Sequence, residues 1–218
     1  VGARVEVLVV PKVSDPSHIT AIDLILSQIE AKMDLQQRIG LEACIETAEG
    51  LTQAEAIAAC SDRLEALVFG IADFTASLGA PPIGVSGHGE GETGQGRWHS
   101  VLCRLAVAAK ANGLQVVDAP YGDHTDPQGL ETSCRISAAL GYDGKWAIHP
   151  GQIETINSLL SPSPELVEQA RRVVHAYEQA TAGHSGSLVL EGKMIDAASF
   201  RLALSVVAKW EQMERTGR

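Results

Sequence analysis

The protein has 218 residues, of which 45% are hydrophobic and 20% are charged. This length and composition predict a globular protein with a large core, in one domain or two. The net charge of −10 argues against a nucleic-acid partner, because such a surface needs clustered lysines and arginines. No apolar run approaches the roughly 18 residues of a membrane span and no basic, apolar leader opens the sequence, so we expect a cytoplasmic protein without a membrane partner. The four cysteines are scattered without a C-x-x-C pair, which argues against a zinc site or a disulfide framework.

The first segment predicts one strand followed by one helix. Residues 4–10 form an apolar run typical of a buried β-strand, and Pro11 ends it because proline donates no hydrogen bond to a sheet. Asp15 and Pro16 then predict a helix start, an N-cap followed by proline in the first turn. Apolar residues recur beyond them at helical spacing, namely Ile19, Ile22, Leu26, Ile29 and Met33.

Two further apolar runs each lead to a carboxylate. Residues 41–45 precede Glu46, and residues 64–70 precede Asp73 in the tripeptide Ile71-Ala72-Asp73. If both runs are strands, the two carboxylates occupy equivalent places at neighbouring strand ends. Two such oxygen ligands favour a Mg²⁺ site, because Mg²⁺ typically takes one or two protein carboxylates and leaves its other positions to water and substrate. The alternative is that both are ordinary acids at loop starts, one of them capping a helix.

The middle of the chain contains a glycine-rich stretch. Before it, Thr52-Gln53-Ala54-Glu55 has the pattern of a capping box and predicts a helix to Cys60. Residues 75–96 contain seven glycines and two prolines, which predict an irregular, mobile loop. The stretch includes a literal G-x-G-x-x-G at residues 89–94, but its two glutamates place negative charge where a pyrophosphate would lie. We therefore reject a dinucleotide-binding fingerprint.

The remaining sequence continues the alternation of strands and helices. Strands are predicted at residues 114–118 and 145–148, helices at 97–111, 126–141, 163–180 and 197–214, and a flexible linker at 183–192. Such alternation indicates parallel strands with crossover helices, in a doubly wound sheet or a (β/α)₈ barrel.

Four motifs occur in an order that resembles a known family. They are Ile45-Glu46-Thr47-Ala48-Glu49-Gly50, Phe69-Gly70-Ile71-Ala72-Asp73-Phe74, Trp146-Ala147-Ile148-His149-Pro150 and Gly192-Lys193-Met194-Ile195-Asp196. The chain resembles the HpcH/HpaI aldolase and citrate lyase β-subunit-like family, and within it the motifs are most similar to those of malyl-CoA and β-methylmalyl-CoA lyases. The resemblance covers about residues 4–200.

The resemblance implies a (β/α)₈ TIM barrel with a C-terminal helical lid. It also implies a Mg²⁺-dependent carbon–carbon lyase acting on an acyl-CoA and a small keto acid such as glyoxylate, with Mn²⁺ as the alternative ion. The implied roles are metal ligation by Glu46 and Asp73, binding of the keto-acid carboxylate by the backbone N–H groups of Ala72 and Asp73, contact with acyl-CoA by the Ala119-Pro120 turn, and proton transfer by Asp196 of the lid. The family usually has Gly-Pro where this chain has Ala119-Pro120.

The resemblance also implies a domain organisation and an assembly. Residues 1–150 correspond to the C-terminal part of the barrel, and residues 151–218 to a helical extension with the lid. A (β/α)₈ barrel typically needs about 250 residues, and we find five strands, so the family's first three strands have no counterpart in this sequence. We expect a homo-oligomer, a trimer or hexamer, because the family's lid aspartate reaches a neighbouring subunit and the last helix carries a large apolar surface.

Several alternatives stay open at this level. The chain can be a keto-acid aldolase of the same superfamily that acts on free acids, or a non-catalytic partner subunit that keeps the scaffold. Asp196 can instead be the N-cap of the last helix. Lys12 can be an orienting or electrostatic residue of the site, or a solvated lysine, and we interpret His149 as structural.

Overall fold

The computed structural model describes residues 5–81, 84, 96–182 and 187–215. The chain divides into two compact units, Val1–Leu160 and Ser161–Arg218. None of the helices in these described ranges combines the length and the apolar character that a membrane crossing requires.

The first unit is built on a parallel β-sheet, as the alternation of elements predicts. Its described strands lie in chain order, and each is paired in parallel with the next one. They are β1 (Val7–Val10), β2 (Gly40–Ile45), β3 (Leu64–Phe69), β4 (Gln115–Asp118) and β5 (Gly144–Lys145). The mixed α/β class is therefore confirmed, with all carboxyl ends of these strands along one edge of the sheet.

Helices follow the strands of this unit. They are α1 (Pro16–Met33), α2 (Ala48–Thr52), α3 (Ala54–Ala58), α4 (Ile71–Ser77), α5 (His99–Ala111), α6 (Pro127–Ala139) and α7 (Ile153–Leu160), with 3₁₀ turns at Gly96–Trp98 and Pro150–Gln152. The helix start predicted at Asp15-Pro16 is confirmed, because the Asp15 side chain accepts the N–H of Ser17. The helix predicted from residue 126 begins in the same way, its Asp126 side chain accepting the N–H of Gly129 before Pro127 enters the first turn.

The helix after β2 begins earlier than the sequence predicts. Thr47 caps α2, its hydroxyl oxygen accepting the N–H of Gly50 at 2.9 Å. The predicted capping box does not form, because the Thr52 hydroxyl donates to the carbonyl of Glu49 and α3 begins without a side-chain cap. The cap that operates therefore lies one residue after Glu46 and fixes the chain direction there.

Two predictions around the edges of the sheet need correction. The predicted irregular stretch begins later than residue 75, because α4 continues to Ser77, and most of the stretch, including the G-x-G-x-x-G sequence, lies outside the described residues. The predicted burial of the first strand is wrong for Leu8 and Val9, which are 36% and 45% exposed. Among the described strands, β1 is paired with β2 alone, so it has a neighbouring strand on one side only.

An aromatic cluster fixes α4 against the sheet. Phe69 ends β3, Phe74 lies in α4, and Trp98 precedes α5, and all three are buried. Their ring centroids lie 5.5 to 6.2 Å apart in edge-to-face or tilted arrangements, which are favourable geometries for aromatic pairs. Because Phe74 directly follows Asp73, this cluster also fixes the backbone that carries Asp73.

The opposite, amino-terminal end of the sheet is tied to α1 by a buried arginine. The Arg63 guanidinium donates to Asp23 at 2.8 Å, to both carboxylate oxygens of Glu30 at 2.6 and 2.8 Å, and to the carbonyl of Ile39 at 2.6 Å. Donation by the Ser61 hydroxyl and by Arg63 lowers the pKa of Asp23 to about 2, and donation by Arg63 lowers the pKa of Glu30 to about 2. Arg63 therefore joins α1 to the starts of β2 and β3.

The second unit contains two helices and a β-hairpin. These are α8 (Pro164–Ala182), β6 (Leu188–Leu190), β7 (Lys193–Ile195) and α9 (Ala197–Arg215). Glu191 and Gly192, with φ of 51° and 77°, form the two-residue turn between the antiparallel strands. The expected flexible linker is thus partly a strand. The rings of Tyr177 and Phe200 stack at 4.7 Å and join α8 to α9.

We expect Arg63→Met to lower the free energy of unfolding by about 3–5 kcal/mol, because it leaves two carboxylates without their buried partner. Urea denaturation followed by circular dichroism measures this change. Arg104→Met is the matched control, since the ion pair of Arg104 with Glu55 is exposed on both sides and contributes at most about 1 kcal/mol.

The same pair of proteins gives a pH test. Carboxylates with lowered pKa in the folded state stabilise above their unfolded pKa, and this contribution is lost as the pH falls through about 2. The stability difference between wild type and Arg63→Met should therefore narrow from about pH 4 downward. A difference in unfolding free energy that stays constant down to pH 2 would contradict the pairing of Arg63 with Asp23 and Glu30.

Candidate active site

Glu46 directly follows β2 and lies at the carboxyl edge of the sheet. The residue is only 9% exposed. Its Oε1 accepts the backbone N–H of Lys12, which follows β1, at 2.8 Å. A buried carboxylate oxygen needs such a donor, so the turn after the first strand determines the orientation of Glu46.

Asp73 is placed differently from the prediction. It lies in the first turn of α4 rather than at the end of β3, because Gly70 already acts as the N-cap residue of that helix. Its Oδ1 lies 3.2 Å from the Nζ of Lys12, and about half of the side chain is exposed. Lys12 thus contacts both predicted metal ligands, Glu46 through its backbone and Asp73 through its ammonium group.

Gly70 is the residue that allows Glu46 its position. A Cβ atom at Gly70 would lie 2.5 Å from both the Cβ and the Oε2 of Glu46 and 3.1 Å from the Sγ of Cys44. The N–H of Gly70 donates to the carbonyl of Ile45 at 3.1 Å. The chain after β3 therefore passes directly against the Glu46 side chain, at a distance that only glycine permits.

Cys44 lies beneath these residues. Its side chain is buried, and burial together with the neighbouring Glu46 carboxylate raises the pKa of the thiol to about 12. The thiol is therefore neutral at physiological pH.

The first turn of α4 presents backbone donors at the same edge. The intrahelical hydrogen bonds of α4 begin with the N–H of Phe74, which donates to the carbonyl of Gly70. The N–H groups of Ala72 and Asp73 precede this bond, as the first N–H groups of any helix do. They point along the helix axis toward its N-terminus, where an anion is favoured.

The Ala119-Pro120 turn rests on a buried ion pair that sequence reasoning missed. Asp118 ends β4 and Lys145 ends β5; their side chains are almost fully buried and form an ion pair of 2.6 Å. The other Asp118 oxygen accepts the N–H of Ala119 at 2.8 Å, and the Ser137 hydroxyl also donates to the Asp118 carboxylate. In the sequence, Asp118 ends the strand predicted at 114–118 and Lys145 begins the strand predicted at 145–148, so each predicted strand offered one charged residue.

Gln152 is a second residue that sequence reasoning missed. It is buried, its Nε2 donates to the carbonyl of Tyr121 at 2.7 Å, and its Oε1 accepts the N–H of Ile148 at 2.9 Å. It therefore joins the loop after β4 to the loop after β5. His149 lies in the second loop and accepts the N–H of Gly151 through Nδ1 at 3.1 Å, consistent with its interpretation as structural.

Asp196 belongs to the second unit, so it is not among the residues that the first unit brings together. It is exposed and caps α9, its Oδ1 accepting the N–H and the hydroxyl of Ser199, each at 2.9 Å. Donation by the Ser199 backbone lowers the pKa of Asp196. The N-cap interpretation therefore describes Asp196 within its own unit.

The residues at this edge fit a magnesium ion. Mg²⁺ prefers hard oxygen ligands and is typically held by one or two carboxylates, with water and substrate completing the octahedron. Glu46 and Asp73 offer such oxygens beside Lys12, whose backbone N–H contacts Glu46 and whose ammonium group contacts Asp73. No cluster of three or more His, Cys, Asp or Glu residues suited to a metal occurs in the described ranges, which argues there against a closed, multi-ligand site.

Comparisons with known proteins agree on one family. A family model described as HpcH/HpaI aldolase/citrate lyase matches residues 1–150. The chain is 36% identical over 216 residues to the L-malyl-CoA/β-methylmalyl-CoA lyase of Rhodobacter capsulatus, covering 95% of this chain and 68% of that protein. It is 32% identical over 212 residues to a (3S)-malyl-CoA thioesterase of Cereibacter sphaeroides, covering 96% of this chain and 66% of that protein.

A solved structure is similar over the same range. The crystal structure of the protein CitE from Mycobacterium tuberculosis, in complex with magnesium, acetoacetate and coenzyme A, matches with a TM-score of 0.68 and 27% identity. The match covers 94% of this chain and 68% of that one. The chain thus spans about two-thirds of the length of each of these three proteins.

We expect Gly70→Ala to lower the free energy of unfolding by about 1–3 kcal/mol, because the added methyl group overlaps Glu46 and the backbone must shift. Gly144→Ala is the control, since a Cβ there meets nothing within 4 Å, and its effect should stay within about 0.5 kcal/mol. Urea denaturation of both variants measures the difference. Equal free energies of unfolding for the two variants would show that the close approach to Glu46 does not require glycine at position 70.

Proposed function

Because the chain belongs to the HpcH/HpaI aldolase/citrate lyase family, we propose that it is a Mg²⁺-dependent carbon–carbon lyase. Its substrate is the CoA thioester of a 3-hydroxy acid such as malyl-CoA, which it cleaves to glyoxylate and an acyl-CoA, or forms in reverse. The observation that carries the proposal is the convergence of Glu46 and Asp73 on Lys12 at the carboxyl edge of the sheet.

The strand order supports a barrel origin for the first unit. A doubly wound sheet reverses its strand order at a switch point, whereas the described strands run β1 to β5 without reversal, as consecutive strands of a (β/α)₈ barrel do. We propose that residues 1–150 are the C-terminal part of such a barrel and that residues 151–218 form its helical extension and lid. In barrels of this type the active site lies at the carboxyl ends of the strands, which is where Glu46 lies.

The reaction divides into tasks for this chain's residues. A bound Mg²⁺, held by Glu46 and Asp73, supplies Lewis-acid stabilisation of negative charge on oxygen. The amides of Ala72 and Asp73 bind the carboxylate of the keto-acid portion. Cleavage breaks the bond between C2 and C3 of the malyl group: the hydroxyl group gives its proton to solvent as the aldehyde forms, and the electron pair of the broken bond stays on the acyl-CoA carbon, which then takes up a proton. We assign the transfer of that proton to Asp196, and proton transfer of this kind typically contributes about 10²–10⁴-fold.

The Ala119-Pro120 turn is proposed to contact the acyl-CoA. The Asp118 carboxylate fixes the position of this turn, because it accepts the N–H of Ala119 and forms an ion pair with the buried Lys145. Movement of this turn would separate the buried ion pair and leave its charges unpaired, which is costly. Such rigidity suits a surface against which a thioester must be aligned.

The proposed assembly is a homo-oligomer in which Asp196 serves a neighbouring subunit's site. Leu202 on α9 is 70% exposed, and on the hairpin Val189 and Met194, which face each other across the strands, are more than 70% exposed. Apolar side chains grouped in one small unit favour contact with another copy.

Incubation of the whole protein with malyl-CoA and Mg²⁺ tests the function and separates it from that of the thioesterase relative. Carbon–carbon cleavage yields glyoxylate, detected as its phenylhydrazone, while the thioester stays intact. Thioester hydrolysis instead releases a free thiol, detected with a disulfide reagent, and no glyoxylate. Cleavage of a free hydroxy-keto acid alone would favour the aldolase alternative, and the absence of any turnover would favour a non-catalytic subunit.

In this assay Glu46→Gln and Asp73→Asn should each abolish Mg²⁺-dependent glyoxylate formation, since the amides are weaker ligands for a hard cation. Asp73→Asn should change the free energy of unfolding by less than about 1 kcal/mol, because its ion pair is exposed. Asp34→Asn, at the exposed end of α1, is the matched control and should retain turnover. Wild-type activity of either site variant would remove that residue from the metal site.

Asp196→Asn should lower turnover by about 10²–10⁴-fold as a proton-transfer group is lost. Subunit mixing tests its placement: Asp196→Asn and Glu46→Gln subunits, each inactive alone, should regain partial activity when assembled together. Mixed sites then receive intact metal ligands from one chain and an intact lid from another. No recovery in verified mixed oligomers would place Asp196 in its own subunit's site or outside the chemistry.

A further inference from the structure

Lys12 has an unusual backbone conformation. Among the described residues, three that are not glycine have a positive φ, namely Lys12 at 52°, Asp34 at 51° and Glu191 at 51°. Side chains with a Cβ rarely adopt this conformation. Asp34 caps the end of α1 and Glu191 forms a hairpin turn, so both have local reasons for it.

The conformation of Lys12 is instead held by contacts distant in sequence. Its own N–H donates to Glu46, and the N–H of the following Val13 donates to the carbonyl of Cys44 at 3.1 Å. Val13 is fully buried, and a Cβ at Gly50 would lie 2.3 Å from the Val13 carbonyl oxygen. The turn is therefore enclosed on several sides. A backbone strained in this way at a candidate active site is a reason to look for a function.

The backbone N–H and the ammonium group of Lys12 contact different carboxylates. The N–H occupies Oε1 of Glu46, which leaves Oε2 as the second oxygen of that carboxylate. The ammonium group lies 3.2 Å from Oδ1 of Asp73, with both side chains more than half exposed. A monovalent cation thus already occupies one side of the carboxylate that a divalent ion would use. The two cations would therefore share the negative charge of one carboxylate.

We propose that Lys12 is a positioning residue that orients Glu46 through its backbone and competes, through its ammonium group, with the metal ion for Asp73. The inference rests on the proposed function, since it concerns the same ion. In the absence of the ion, Lys12 compensates the charge of Asp73 and keeps the two carboxylates from repelling each other. Binding of the ion displaces the ammonium group from Asp73, and this displacement lowers the apparent affinity for the ion.

Titration with Mn²⁺, followed by the electron paramagnetic resonance signal of the free ion, tests this without any turnover. Lys12→Met keeps the length, the N–H and the backbone requirement but removes the charge, so it should bind Mn²⁺ about two- to fivefold more tightly than wild type, the size expected for one exposed ion pair. Lys12→Arg keeps the charge and should bind like wild type. The ratio between Lys12→Met and wild type should shrink in 1 M NaCl, because exposed charges are screened.

Lys12→Gly separates the side chain from the backbone. It retains the N–H, accepts a positive φ without strain, and should show the tighter Mn²⁺ binding of Lys12→Met together with a higher unfolding midpoint in urea. Unchanged or weaker Mn²⁺ binding in both Lys12→Met and Lys12→Gly would overturn the inference while leaving the proposed function intact. If wild type shows no Mn²⁺ binding that Glu46→Gln weakens, the metal site of the proposed function fails, and the inference fails with it.

Discussion

Parallel pairing of successive strands places the end of each strand beside the end of the next. Register fixes this alignment closely, with Val10 opposite Ala43 and Ile45 opposite Phe69. The residues directly after each strand therefore meet at one edge, whatever the distance between them in the sequence. In this chain a cation comes after the first strand and a carboxylate after each of the next two. The candidate site therefore depends on the sheet and on the first turn of α4, which carries Asp73.

A buried ion pair lies at each end of the sheet, and the two pairs connect different secondary-structure elements. At the amino end Arg63 joins a helix to the strands, and at the carboxyl end Lys145 and Asp118 join two strands beneath a turn. Burying charge is costly, and an apolar replacement of the same shape is often as stable. A charged pair nevertheless accepts few alternative arrangements, because any shift leaves a buried group unpaired. The strands that carry the site are thus fixed in register as well as packed.

The sequence was informative where a local pattern decides the structure. The first four strands of the sheet and the helix starts at Asp15 and Asp126 depend on neighbouring residues, and they were predicted. The fifth strand was misplaced, because it ends at Lys145, where the predicted strand begins, and β6 lies in a segment predicted to be a linker. The approach of Glu46 and Asp73 to the same lysine follows from strand order together with the helix that begins after Gly70. The exposure of Leu8 and Val9 was not predictable, because burial depends on which elements cover these side chains and not on their own hydrophobicity.

The misses have physical reasons of two kinds. The short helices α2 and α4 begin directly after strands, where Thr47 and Gly70 act as cap residues within segments that read as strand ends. Asp118 and Lys145 are 27 residues apart, and nothing local marks them as partners. For Asp196 the structure shows the N-cap of α9, and its role in proton transfer stays a prediction.

The burial of Cys44 has a consequence for the chemical durability of the site. Oxidants and alkylating agents attack the thiolate and not the thiol. With its pKa raised to about 12, Cys44 presents almost no thiolate at neutral pH, although it lies next to Glu46. A sulfenic or sulfinic acid at this position would add bulk and negative charge directly beneath the carboxylates. Burial, together with the adjacent Glu46 carboxylate, therefore keeps Cys44 in the less reactive thiol form.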